Sequence, residues 1–432
     1  MKRYIITAQI CIAISVLFIG VLVCLRNTQA FSAEKKIDGI EMVAQRFSEF
    51  TIPDDVRVVG IGEATHGNRE FQLVKKEVFE KVVLEGDGRA ICFEMAVGEA
   101  AMLNDAVHDR ASDLTAAVGR LNYPIYDTPE MVSLLEWMRE YNQTVPYEDS
   151  LMFYGVDMQG AETAVSYLKE LCRDTDASIF TEEEKKKLLA MASEQKVDYT
   201  GERDFFVRMQ ERLSGREDLK SRKLLVLVTS VLQTIDAPLY DDDPREYSYY
   251  RDRCMAENLK RYSEIEDGRG FSQVVITAHN GHVVRGGSTV LPSEGAETMG
   301  DQIDRLFDGS YYCIGTEFYE GYVNIHTAGT YDDRYHRADH YFCSDDPLAY
   351  QAKFFEDGTY CLDFSSITDE NNKVYNLIHG YIFNGVAGEG YSPAFDIGKQ
   401  HRMKVIPADR YDAVCYYYEV TPIRPIHYED PE

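Results

Sequence analysis

The sequence predicts an α/β fold: a central, largely parallel sheet flanked by helices, with an inserted helical lobe capping the site at the strand ends. Three observations carry that expectation. Short apolar runs, β-branched and continuous rather than alternating, recur along the chain and stop abruptly at polar residues. A helical pattern often follows them. Between positions 161 and 267 the pattern is mostly helical, with no clear strand inside it. Continuous apolar strands suit the interior of a parallel sheet covered on both faces. A length of 432 residues, 44% apolar and 27% charged, fits one large globular domain or a domain carrying an insertion.

The first element is apolar. Lys2 and Arg3 precede a run over 4–25 that only Thr7, Gln9 and Ser15 interrupt. Such a run is about the ~20 residues that cross a bilayer and exceeds the ~7–15 of a cleavable signal core. Basic residues stay cytoplasmic, so the rest of the chain is expected outside. Residues 1–34 are therefore expected to be a membrane anchor or signal segment. Residues 35–160 and 268–432 are expected to form the α/β domain, and 161–267 the helical insertion. The expected location is the cell membrane, single-pass, with the α/β domain extracellular. Secretion after cleavage near Thr28-Gln29-Ala30 is the alternative.

The formal net charge of −28, with no basic stripe to offset it, excludes a nucleic-acid partner. Nine cysteines show no CxxC pair and no regular framework, which gives no support to cysteine-bound metal. Cys92, Cys313 and Cys415 sit in strand-like apolar runs, where a thiol packs as a small hydrophobe. One disulfide is open to a chain outside the cell, with its partners unassigned.

The remaining elements follow in order. Residues 40–47 read as a short helix and Ile52-Pro53-Asp54 as a turn. The run 56–61 leads into Gly62-Glu63-Ala64-Thr65-His66-Gly67, and a helix follows over 69–84. The run 90–93 ends at Glu94, and 152–156 ends at Asp157-Met158-Gln159. The run 274–277 ends at His279-Asn280-Gly281-His282, and 312–315 ends at Thr316-Glu317. Helices over 164–172, 182–195, 204–213, 219–235 and 247–265 make up the insertion, either capping the rim or covering a sheet face. Residues 360–364, 381–383 and 413–419 read as further strands. In parallel sheets ligands bind beyond the carboxyl ends of the strands. Glu63, His66, Glu94, Asp157, His279, His282 and Glu317 are thus expected to converge on one rim.

The chemistry follows from those side chains. Glycines bracket Glu63 and His66 between a strand and a helix. An imidazole there suits general-base work near neutrality, and Glu63 or Glu94 can orient it and stabilise its charged form. His279 and His282 leave two readings open. They join two glutamates as a divalent-metal set, or one of them polarises a carbonyl and stabilises an oxyanion. No HExxH or Cys/His zinc pattern is present, which favours the metal-free arrangement and no cofactor. Arg69 and Lys75, on the following helix, are candidates to hold a substrate or to balance the acids. Arg251, Met255 and Asn258 share one helix face, with Arg251 toward the rim. Asp157, Gln159, Asn280 and Glu317 complete the candidate substrate-binding set. No Gly-x-Ser-x-Gly elbow, phosphate loop or dinucleotide fingerprint occurs.

The string Val59-Gly60-Ile61-Gly62-Glu63-Ala64-Thr65-His66-Gly67-Asn68-Arg69-Glu70-Phe71 resembles the signature opening of the erythromycin esterase family. Further similar motifs follow in order: Cys92-Phe93-Glu94, Gly155-Val156-Asp157-Met158-Gln159, Arg251-Asp252-Arg253, Ala278-His279-Asn280-Gly281-His282, Met299-Gly300 and Ile314-Gly315. The resemblance spans roughly 39–425 and implies an α/β sheet with a helical lobe. It also implies carboxylic-ester hydrolysis by histidine-activated water. Carried over by motif, His66 is the general base, Glu63 and Glu94 are the acids around it, and His279 and His282 are the second pair. Lys75 falls where the family has a basic side chain. The best-known members open macrolide lactones. The anchor and the weaker matches in the insertion set this chain apart, so the expectation is an esterase of unassigned small-molecule substrate. A metal-dependent hydrolase, or a cell-envelope binding or acyl-modifying protein on the same fold, is the alternative.

Overall fold

The computed structural model describes residues 12–21, 34–174, 179–193, 197–240, 242–287, 297–327, 336–392 and 401–427. Its sheet contains β1 (Val58–Glu63), β2 (Gly88–Ala96), β3 (Met152–Asp157), β4 (Gln273–His279), β5 (Tyr311–His326), β6 (Arg337–Cys343), β7 (Thr359–Asp363) and, after a separate ribbon of β8 (Ile382–Gly385) and β9 (Arg402–Val405), β10 (Ala413–Val420). The order is β3-β2-β4-β1-β5-β10-β7, with β6 pairing on β5. Every pair from β3 to β10 along that path is parallel; β7 and β6 add antiparallel. The predicted parallel sheet is therefore present.

Burial on both faces explains the continuous apolar runs. Val59, Ile91, Phe93 and Val275 pack on one face against α1 (Arg69–Leu84), α2 (Val97–His108) and α3 (Pro129–Asn142). Val58, Cys92, Val274 and Ile276 pack on the other. That second face is covered by α4 (Ala161–Asp174), α5 (Glu182–Ala190), α6 (Arg203–Ser214), α7 (Leu219–Asp236), α8 (Pro244–Arg269) and α9 (Met299–Leu306). Local chemistry starts and stops these helices. Thr128 caps α3 ahead of Pro129, Thr181 and Glu184 form a capping box on α5, and Asp218 caps α7. Asp243 and Pro244 open α8, and Gly270 closes it at φ 97°, a conformation that favours glycine. The 161–267 segment lies as a layer against the sheet, and α8 is the helix that delivers Arg251 to the strand ends.

Several elements differ from expectation: the helix expected over 182–195 ends at Ala190, and two others depart further. Residues 40–47 form no continuous helix; two short 3-10 turns, Ile40–Met42 and Phe47–Glu49, stand there. The strand expected to end at Thr316-Glu317 runs on to His326. It leaves β1 after Ile314, stays with β10 to Gly321 and takes β6 from Glu320, so Phe318, Val323 and Ile325 resume the buried pattern.

Of the N-terminal apolar run, the described part is a helix, Ile12–Val21, whose apolar side chains are exposed. The rest of that run and the Thr28-Gln29-Ala30 stretch lie outside the described residues. Ile12–Val21 is short; among the described residues one helix, Leu219–Tyr240, is long and apolar enough to cross a bilayer. Its Val226, Val228 and Val231 are buried in the core beneath α6 and α8, which accounts for its composition without a membrane.

Candidate active site

Strands β1 and β4 are adjacent and in register, with Glu63 opposite His279, so their carboxyl ends meet. Close approach dictates the glycines around Glu63. A Cβ on Gly62 would lie 2.2 Å from Asn280 Oδ1, and one on Gly67 would lie 2.2 Å from the Asn324 carbonyl. The loop between them is pinned at its far end. Thr65 donates to Asn68 Oδ1 at 2.6 Å, and Asn68 Nδ2 donates to the Tyr322 and Thr421 carbonyls at 2.9 and 3.1 Å.

This loop sets His66 Nδ1 2.7 Å from Glu63 Oε1. The other carboxylate oxygen accepts from Lys75 Nζ at 2.7 Å and from Gln72 Nε2 at 3.2 Å. Glu63 and Lys75 are both fully buried, and the ammonium also lies against the rings of Phe93 and Tyr126. Burial opposes a charge on Glu63, but Lys75 and His66 outweigh it and hold the carboxyl at about 2. An ionised Glu63 accepts a hydrogen bond from Nδ1–H of His66, which leaves the Nε2 lone pair free. Among the described residues Nε2 has no hydrogen-bond partner, and the side chain is 12% exposed. Burial disfavours the imidazolium, yet Glu63, Glu94 and Glu389 raise His66 above its ordinary value of 6.5.

The second and third histidines differ in charge. The Gly281 N–H donates to His279 Nδ1 at 3.1 Å, so Nε2 carries the proton and faces the Ala64 carbonyl at 3.3 Å. Burial and the neighbouring His66 and His282 hold His279 down at about 3, a neutral ring. Its centroid lies 5.1 Å from that of His66. His282 instead sets Nδ1 2.6 Å from Asp252 Oδ1 and Nε2 3.3 Å from Glu94 Oε1. Against the cost of burial, these two carboxylates push it up to about 10. Arg251 donates to Glu94 Oε1 at 2.7 Å and to Asp157 Oδ2 at 2.6 Å. The remaining Glu94 oxygen accepts the His279 backbone N–H at 3.0 Å. Despite burial, His282 and Arg251 hold Glu94 well below the usual carboxylate range.

Seven of the expected residues thus converge: Glu63, His66, Glu94, Asp157, Arg251, His279 and His282. Of the two acids considered for His66, Glu63 makes the bond. Lys75 belongs to the same network but lies beneath Glu63 and does not reach the open rim. Arg69 is not brought in; its half-exposed side chain pairs with Glu130 at 2.8 Å. Gln159 caps Asp157 through its backbone N–H at 3.1 Å and turns its side chain to the Tyr247 hydroxyl. Asn280 and Glu317 line a small cavity that His279 also borders. There Asn280 and Asn384 donate to Glu317 Oε1 at 3.3 and 2.8 Å, while burial and Asp346 push the Glu317 carboxyl well above its usual range.

Asp252, Gln72, Tyr126 and Glu389 are the contributors that the sequence reasoning missed. Asp252 had a signal, since it lies between Arg251 and Arg253 in the third turn of α8. Among the described residues no three His, Cys, Asp or Glu side chains form a metal-holding group. Each histidine ring nitrogen that is engaged faces a carboxylate, an arginine or a backbone group. The arrangement offers a general base with its outer nitrogen free, a neutral ring beside it, and a cationic pair around Glu94.

Comparison with known proteins identifies the family and the fold. The erythromycin esterase family profile matches residues 84–420, a span that begins after the His66 loop and includes Glu94, Asp157, Arg251, His279 and His282. The chain is 22% identical to the erythromycin esterase type II of Escherichia coli over 321 residues, 65% of this chain and 72% of that protein. Three solved structures share the fold. A Bacillus cereus protein has a TM-score of 0.66 and 19% identity, covering 92% of this chain and 98% of its own. A succinoglycan biosynthesis protein has a TM-score of 0.64 and 17% identity, covering 86% and 89%. An erythromycin esterase mutant in an open conformation has a TM-score of 0.57 and 14% identity, covering 85% and 91%.

Proposed function

The chain belongs to the erythromycin esterase family, and from that premise we propose that it hydrolyses a carboxylic ester with water activated by His66. The observation that carries this reading is the Glu63–His66 pair, whose outer nitrogen has no partner among the described residues. His66 Nε2 takes a proton from water as the water oxygen attacks the ester carbonyl carbon. The carbonyl π electrons move onto oxygen. Glu63 keeps the Nδ1 proton in place and stabilises the imidazolium that forms, as the acid of a triad does. The cationic His282 and Arg251 favour the developing oxyanion. Collapse re-forms the carbonyl and breaks the bond to the alkoxide, which recovers the proton from His66. The neutral His279 packs beside His66 without repelling its positive charge.

The substrate class is a small-molecule ester, with macrolide lactones the first to test. The apolar N-terminal segment is read as a membrane anchor with the α/β domain outside the cell; the exposed apolar side chains of helix Ile12–Val21 support that reading. The test is a hydrolysis screen of esters and macrolide lactones with the wild type and His66→Ala, scored by ring-opened lactones one water heavier and by the acid and alcohol released from acyclic esters. Wild-type turnover that falls about 10²–10⁴-fold in the folded variant agrees with the reading. Undiminished turnover by His66→Ala contradicts it.

A further inference from the structure

We propose that Cys361 and Cys415 close a disulfide when the chain folds in an oxidising compartment, stapling the edge strand β7 to β10. This goes beyond ester hydrolysis and does not depend on it. The two residues face one another across the antiparallel β7–β10 pair. The N–H and C=O of Cys361 both bond to Gln45 on the opposite side, at 2.8 and 2.9 Å. Cys361 therefore makes no ladder bonds to Cys415, and the two form a non-hydrogen-bonded pair. In such pairs the side chains approach most closely, with Cα atoms about 4.5 Å apart. That separation lies within the roughly 4.4–6.8 Å range that a disulfide spans.

The sulfur atoms are in contact, 2.7 Å apart, and both residues are about 1% exposed. Facing positions on paired strands and touching sulfurs together single out this pair. The bond would close a loop between positions 54 apart, which carries the β8–β9 ribbon, Asn384 beside Glu317 and Glu389 near His66. A cross-link over a loop of that length restricts the unfolded chain and stabilises the fold.

Formation removes one hydrogen from each thiol and passes two electrons to an external disulfide, which leaves as two thiols. The hydrogen bond to Cys361 and burial hold the Cys415 thiol well above its ordinary range, and in the folded chain both sulfurs are shut away from an external disulfide. Exchange therefore precedes closure of the strands over the pair. An oxidising compartment outside the cytoplasm supplies the disulfide donor.

The experiment starts from the full chain, denatured and reduced, then refolded in detergent with a glutathione redox buffer. Remaining thiols are alkylated under acid quench, and the digest is read by mass spectrometry. The expected result is one linked species joining the peptides of Cys361 and Cys415, two hydrogens lighter than the reduced pair, with the other cysteines alkylated. Alkylation of both residues, or linkage of either to a different cysteine, overturns the proposal. The double variant Cys361→Ala/Cys415→Ala adds a second readout. It should keep wild-type turnover, melt several degrees below the oxidised wild type, and show no shift with reductant, whereas the wild type melts lower when reduced.

Discussion

Glu63 is sealed from water, so its charge depends on protein partners rather than hydration. Lys75 and His66 make its shortest contacts, both 2.7 Å, and Gln72 adds a third at 3.2 Å. This gives Lys75 a purpose that the sequence left divided between holding a substrate and balancing the acids: it fixes the ionised state of the group that orients His66. Lys75→Met should leave Glu63 buried beside an apolar side chain. The expected cost is about 3 kcal/mol or more, because a buried charge that loses its partner is strongly destabilising. Denaturant unfolding of the two proteins measures it. An unchanged midpoint would show that the ammonium is dispensable to Glu63.

At the scale of elements, α8 contributes two consecutive residues with separate tasks. Arg251 reaches Glu94 and Asp157, while Asp252 reaches His282 and ties α9 through the Met299 N–H at 3.0 Å. The positive charge of His282 rests on Asp252 as well as Glu94. Asp252→Asn should therefore lower the pKa of His282 from about 10, so that the alkaline limb of the ester-hydrolysis profile moves to lower pH. A pH–rate profile in which that limb stays in place would remove Asp252 from this role. The pair Glu63–His66 was legible because glycines mark a close backbone approach directly after an apolar strand. Glu94, Asp157 and His279 were legible because each lies at or near the end of such a run. Asp252 was harder to single out within a mixed helix turn. Glu389 and Asn384 come from loop-rich sequence beyond position 329, where no periodicity marks which polar residue turns inward. Strand β5 hid its own length, since Thr316 and Glu317 interrupt the apolar run while remaining buried.

Across the whole molecule, the sheet gathers groups whose ionisation differs between folded and unfolded chains, and stability follows pH through them. Glu63 falls from 4.5 to about 2 on folding, so its contribution is present above 4.5 and lost as pH drops toward 2. His282 rises from 6.5 to about 10, so its contribution is full below 6.5 and lost as pH climbs toward 10. His279 falls from 6.5 to about 3, which penalises the fold as pH drops below 6.5, where the unfolded chain binds a proton that the native ring refuses. Together the three groups place the greatest stability of this network near pH 6.5. Thermal melts of the wild type across pH should peak there, and His282→Gln should flatten the decline above it. A wild-type stability that keeps rising from pH 7 to 10 would show that other groups govern it.

In the proposed hydrolysis Glu63 tunes His66 as the base that activates water. The pH dependence of kcat/KM for ester hydrolysis, compared between wild type and Glu63→Gln, tests it most directly. Glu63 raises His66 above 6.5, and the base must be neutral to work, so the wild-type acid limb should have its midpoint above that value. In Glu63→Gln the limb should move to lower pH while the plateau rate falls. An acid limb that stays where it was, with the plateau undiminished, would show that Glu63 does not tune His66.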